Sequence, residues 1–343
     1  TWGTNSIIID ANGLNYQGNT DAYNVHYATS GLTVNIVYSD ATEGWVPLET
    51  TISDIPTQKA IFAFGSTGSN VNTINLVSSS GVVASDSSGT GTARNNVSGS
   101  SYGRDKGIFG FGYVSGNVSM TNLISNSGVV ASDVTGTGTA RRGVGAASYG
   151  STGQCIFAFG LVSSSVNTIN LVTNLGVMAS DSSGTGTARN GVMAATYDLD
   201  KAIIAFGHES SYRNMSNLVS NIGVVSSDVT GVGTARYRGA ASSFGVDRAI
   251  MAFGIYDSTN VSVSNLVSNT GVVASDTTGV GSARNLPGAS SYGGDRAIFG
   301  FGDTGSVTGV TNLISNLGVV ASDTSAVGTA RAGIGACNFS LTP

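Results

Sequence analysis

Read for its alternation of apolar and polar positions, the chain resolves into short apolar runs separated by Gly, Ser, Thr and Asn, and the runs return in a fixed order. A small-residue run (GVGAASYG at 143–150) leads to I-F-A/G-F-G or a close variant, beginning at Ile61, Ile108, Ile156, Ile203, Ile250 and Ile298. A third run of the type TNLVSN follows, and then GVVASD. The second run is apolar at successive positions, the pattern of a strand covered on both faces. No run is long enough, or spaced at 3.6 residues, to predict a helix. Gly81, Gly128, Gly176, Gly223, Gly271 and Gly318 hold one position between the third and fourth runs and predict a hairpin turn with positive φ. Each unit therefore reads as a four-stranded antiparallel meander.

Three marks hold the same period. The TAR or SAR arginines are Arg94, Arg141, Arg189, Arg236, Arg284 and Arg331, spaced 47, 48, 47, 48 and 47 residues apart. The second-run isoleucines also recur every 47 or 48 residues, and Asp86, Asp133, Asp181, Asp228, Asp276 and Asp323 keep the arginine spacing. Repeats of this length built from short strands predict an all-β fold, a six-bladed β-propeller of four-stranded antiparallel blades. The position after each Ile-Phe pair or its variant is small (Ala63, Gly110, Ala158, Ala205, Ala252, Gly300), and the first run is smaller still, which suits strands converging on an axis. The first unit opens at Gln58 directly on its second run, while AGIGACNFSLTP after Arg331 matches an unused first run. The C-terminal strand is therefore expected to complete the first blade, leaving no open edge.

The order of arginine, small apolar strand, aromatic strand ending in Gly, variable loop and third strand resembles the kelch-type β-propeller over about residues 58–343. It departs from that pattern in having a single Gly at the strand end and in lacking the Tyr and Trp marks of the later strands. The near-identical units with GVVASDTTGVGTAR also resemble repeats of bacteriophage tail-fibre and virion appendage proteins. That resemblance implies a virion-surface, extracellular protein that contacts a host cell.

Residues 1–57 stand outside the repeat and read as a β-rich stalk or attachment segment, with strand-like runs at 6–9, 22–27, 32–38 and 44–49. Leu32, Val34, Ile36 and Tyr38 alternate as a half-buried strand should. YSDATEGWVPL resembles a segment found near domain ends in phage fibre and baseplate proteins. So short a piece has a marginal core. It is expected to gain burial from the repeats or from identical chains, a trimer being favoured, and to join other virion proteins. Pro47 and Pro56 bracket the expected junction.

Charge narrows the function. Only 10% of residues are charged, the net charge is −5, and no Lys/Arg cluster exists, which argues against nucleic-acid binding. No apolar run approaches the roughly 18 residues of a membrane span, so no membrane insertion is expected. Cys155 and Cys337 occupy places held elsewhere by Ala, Gly or Ser and read as small buried thiols on blades that do not touch.

A residue present in every unit is expected to hold units together. The repeated Asp and the Arg eight residues later read as a charge-assisted link between blades; a ring of arginines binding anions at a channel mouth is the alternative. Functional residues are sought where units differ, chiefly in the loop between second and third strands. His208, Glu209, Tyr212 and Arg213 stand there in the fourth unit and Tyr256 and Asp257 in the fifth, with Tyr113 and Asp303 as weaker candidates. Aromatic rings beside carboxylates and a guanidinium can stack on sugars and bond hydroxyls, which points to a host-cell glycan or receptor. Arg104 and Asp198 mark a second variable set, in the turns between first and second strands.

No catalytic residues, cofactor or metal are assigned. With only His26 and His208, a histidine-rich metal centre is not available, no G-x-S-x-G elbow accompanies His208, and sialidase-type Asp boxes are absent. Glu209 and Asp257 are the one carboxylate pair that could serve glycoside hydrolysis. The sequence thus predicts a non-enzymatic fibre protein binding a host surface, with an inert virion decoration or a bacterial adhesin as alternatives.

Overall fold

The computed structural model describes residues 7–18, 25–27, 34–48 and 58–339. These residues are all-β: every sheet is antiparallel and small, and no helix occurs among them. The second unit shows the common plan, in which a lead strand (Ser98–Tyr102) pairs with a central strand (Lys106–Gly110), which pairs with a trailing strand (Thr121–Ile124). The same order holds around the central strands Gln154–Leu161, Lys201–His208, Arg248–Ala252 and Arg296–Asp303. The central strand Lys59–Ala63 takes its lead strand from the far end of the chain, Gly335–Phe339, with Gly335 opposite Ala63 and Phe339 opposite Lys59.

Burial follows from residue choice. Lead strands alternate, as in Gly145–Tyr149, where positions 145, 147 and 149 are buried and 146 and 148 half-buried. Central strands are buried at successive positions because a sheet packs on either side. Apolar clusters join neighbouring sheets in pairs. Phe64 and Val97 meet Phe109 and Ile124 between the first two units, and Phe62 and Val77 meet Ile298 and Phe301 between the first and the last. Each fully buried Phe contributes about 1.5–3 kcal/mol of hydrophobic stabilisation.

The fourth strand is largely absent. A short fourth strand forms in the third unit, Ser182–Ser183; elsewhere GVVASD makes only isolated bridges, such as Val77 with Val83 and Ile74 with Ser87. The ladder is interrupted because the Asn75 side chain, not a backbone amide, donates to the Ala84 carbonyl at 3.0 Å. Asp86 is thereby turned out of the sheet to meet Asn75 Nδ2 at 2.9 Å.

The N-terminal segment contains the hairpin-like pairs Ile7–Ile9 with Val25–Tyr27 and Ile36–Tyr38 with Trp45–Pro47. Buried Tyr16 packs on the partly buried Ile9, Val34, Ile36 and Trp45. Asp40 caps the turn by accepting from the Thr42 and Glu43 amides at 2.8 Å. Tyr38 is exposed, so the half-buried alternation does not extend through it. The outer parts of the expected runs (6, 22–24, 32–33 and 49) and Pro56 lie outside the described residues.

Candidate functional site

Two layers of chemistry lie at the loop end of the sheets, one repeated and one not. The repeated layer is an arginine clasp. Arg94 ends the first unit, and its guanidinium lies 4.2 Å from the centre of the Phe64 ring in that unit. Its Nε donates to the Phe111 carbonyl at 3.0 Å and its Nη2 to Asn122 Oδ1 at 2.6 Å, both in the second unit. Asn122 Nδ2 donates to Asp133 Oδ1 at 2.9 Å, and Asp133 Oδ2 accepts from the Thr92 amide and hydroxyl. Arg141, Arg189, Arg236, Arg284 and Arg331 repeat the cation–ring stack and the bond to the buried Asn. Arg284 differs in one respect, its Nε having no acceptor.

The expected pairing of each aspartate with the arginine eight residues later is thus corrected. Each arginine pairs with the aspartate of the following unit, as in Arg94–Asp133 at 3.6 Å, and Arg331 with Asp86 of the first at 4.0 Å. The reason is direction: the arginine leaves its own sheet as the chain passes to the next. All six guanidinium groups are fully buried, so none faces solvent as an anion-binding ring would require. Burial lowers the arginine pKa to about 10, against the opposing pull of the aspartate, so each stays charged at neutral pH. Burial pushes the Asp133 carboxyl up, but hydrogen bonds from Thr92 and Asn122 and the charge of Arg94 outweigh it and hold the group below its usual range.

The clasp dictates an unusual backbone. Phe64, Phe111, Phe159, Phe206, Phe253 and Phe301 all have φ between 61 and 64°, a region that bulky residues rarely enter. In the third, fourth and sixth units this Phe is the bulged residue of its strand. The twist aims its carbonyl at the preceding arginine while its ring receives the following one, as Phe111 does with Arg94 and Arg141. Gly328 and its five counterparts leave room for the Asn–Asp pair; a Cβ at Gly328 would lie 2.4 Å from Asp86 Oδ1.

The second layer is confined to the fourth and fifth units. Central strand Lys201–His208 turns through Glu209 into the trailing strand Tyr212–Val219, placing His208 opposite Tyr212. Their rings are 5.2 Å apart, and Tyr256 of the next unit lies 5.5 Å from Tyr212. Tyr256 sits in a hairpin turned by Asp257 and Ser258, both with positive φ, as a tight primed turn needs. Glu209 accepts from Arg213 at 2.9 Å, and this bond with those from Ser210 holds its carboxyl below the usual range. His208, Tyr212, Tyr256 and the Glu209–Arg213 pair therefore share one surface, with exposed Asp257 at its edge. Tyr113 stands apart, under Arg142 at 4.9 Å, and Asp303 accepts through its carbonyl from Asn260.

Tyr237 was not singled out by the sequence, yet its ring lies 5.1 Å from His208 and 5.7 Å from Tyr212. It follows Arg236 directly. The equivalent side chains Asn95, Arg142, Asn190 and Asn285 hydrogen-bond the loop of the preceding sheet, at Asn70, Asn117, Ser165 and Asn260. In the fourth unit an aromatic contact replaces this polar lock. That break in the repeat was visible in the sequence, as was the buried Asn of the third run.

The opposite end carries Arg104, Asp198 and Asp200 around a groove of about 670 Å³, with Asp198 bound to Lys201 at 2.8 Å. Both cysteines are buried free thiols. They flank the second sheet, Cys337 beside Gly107 and Cys155 beside Ser100. No group of three His, Cys, Asp or Glu suited to a metal occurs among the described residues.

No protein-family model matches the chain, and no curated protein matches it.

Proposed function

We propose that the repeats form a six-bladed β-propeller, closed by the C-terminal strand, which displays a host-recognition surface on a virion fibre or appendage. Closure is supported by the pairing of Gly335–Phe339 with Lys59–Ala63 and by the Arg331–Asn75 bond. The observation that carries the binding role is the aromatic surface of His208, Tyr212, Tyr237 and Tyr256. It arises only where the repeat's polar lock is broken, and rigid amphipathic rings of this kind favour contact with sugar faces and receptors. The chain acts without catalysis, Glu209 being committed to Arg213. Weak contacts are multiplied when several chains, a trimer in the favoured arrangement, meet one surface. The N-terminal segment joins the other virion proteins.

The test incubates the purified chain with intact candidate host cells and their extracted surface polysaccharide, beside a Tyr212→Ala, Arg213→Ala, Tyr256→Ala variant. Saturable binding lost in the variant supports the reading. Absence of binding by the wild type across hosts overturns it in favour of an inert decoration.

A further inference from the structure

The six lead strands begin around one solvent-open pocket of about 590 Å³, bordered by Val97, Val144, Val192, Gly239, Pro287 and Ile334. Its frame is tied from unit to unit by backbone bonds: Gly191 donates to the Gly143 carbonyl at 2.8 Å, Arg238 to Gly191 at 2.9 Å and Leu286 to Arg238 at 2.7 Å. Arg142 and Arg238 are among the residues that line the pocket, and no acidic residue is. That is unexpected in a chain of net charge −5. Among the described residues, the exposed or half-buried cations Lys106, Lys201, Arg213, Arg248 and Arg296 each have a carboxylate within 4 Å. Arg142 and Arg238 have none, nor has Arg104 at the opposite end. Each of the two pocket arginines is instead stacked on a tyrosine at 4.9 Å, Arg142 on Tyr113 and Arg238 on Tyr237, and Arg142 Nη1 is further steadied by Asn117 Oδ1 at 3.2 Å. Two guanidinium groups without counter-ions on one pocket suit an oxyanion.

We propose that this pocket binds an oxyanion carried on a sugar, the carboxylate of a uronic-type acid or a phosphate ester, with Arg142 and Arg238 as the recognising groups. The sugar as carrier rests on the host-surface reading; the oxyanion does not. Tyr237 belongs to both features, since one edge meets the His208–Tyr212 surface while Arg238 lies over its ring.

The test titrates the full chain with glucuronic acid, glucose 6-phosphate, inorganic phosphate and neutral glucose by calorimetry, alongside Arg142→Gln and Arg238→Gln. Saturable binding of an acidic sugar but not glucose is expected, weakened roughly tenfold by each substitution, as loss of a charged hydrogen bond implies, and weakened by raising salt. Response to glucuronic acid or to glucose 6-phosphate separates the two sources. No acidic ligand binding, binding unchanged in both variants, or binding of inorganic phosphate alone overturns the proposal, provided the unfolding midpoint shows that the variants fold. Acidic-sugar binding without cell binding would keep the pocket and sink the host-surface reading. Cell binding that survives both substitutions, with no sugar response, would do the reverse.

Discussion

Arg331 and Asn75, 256 positions apart in the chain, are joined by a 2.7 Å hydrogen bond from Nη2 to Oδ1. The same bond joins Arg189 to Asn217, only 28 positions apart, at 2.6 Å. The geometry is indifferent to chain separation, so the contact between the last unit and the first has the chemistry of every other.

Asn75→Ala would therefore cost as much as Asn217→Ala, about 1–3 kcal/mol each, because each leaves a fully buried guanidinium group short of an acceptor. Urea unfolding checks it. A much smaller loss at Asn75 would mean that the ends are not held as described.

Gly328→Ala is expected to destabilise by about 2–4 kcal/mol, since it adds a Cβ against Asp86 and Asn75 at a φ of 82°. Gly116→Ala, with open space around the new atom, should stay within about 0.5 kcal/mol. Thermal melts of the two proteins separate clash and conformation from general glycine loss.

Acid should loosen the clasps together. The carboxyls of Asp86, Asp133, Asp181, Asp228, Asp276 and Asp323 are all lowered from 3.8 in the folded chain, hydrogen bonds outweighing burial. A depressed folded pKa gives stability that is present above the unfolded value and lost as pH falls through the folded one. The melting midpoint should fall steeply below about pH 4 from this source, and Asp133→Asn should flatten part of that fall.

Tyr237→Asn restores the residue common to three other units. It should leave the melting midpoint nearly unchanged yet weaken cell-surface binding roughly tenfold or more, as loss of a central aromatic contact does. Equal binding by both proteins would remove Tyr237 from the surface.

Burial pushes the Cys155 and Cys337 thiols well up. Neither should react with a thiol reagent in native buffer, and both should react in denaturant. A reactive native thiol would contradict the packing around the second sheet.

The period exposed the strands and the variable loops because apolar alternation and glycine turns are local properties. Partnership was harder to read. Asp86 and Arg94 are sequence neighbours, yet their partners are Arg331 and Asp133, since which aspartate an arginine meets depends on how sheets pack. Asn122 was hidden by its type, asparagine being common in turns, although its recurrence in every third run marks a buried position. The fourth strand was overread because GVVASD has strand composition, while its ladder is broken by a side chain acting in place of the backbone. Tyr237 escaped because it sits beside a constant arginine and not in the loop where variation was sought.

Six of the fifteen basic residues, the clasp arginines, are fully buried and recur at nearly equal intervals. An enzyme that cuts after arginine finds those six bonds hidden while the sheets hold, and meets Arg104, Arg238 and Arg248 exposed. Native digestion should therefore stop at those exposed sites, and cleavage after the clasp arginines should begin only once the sheets part.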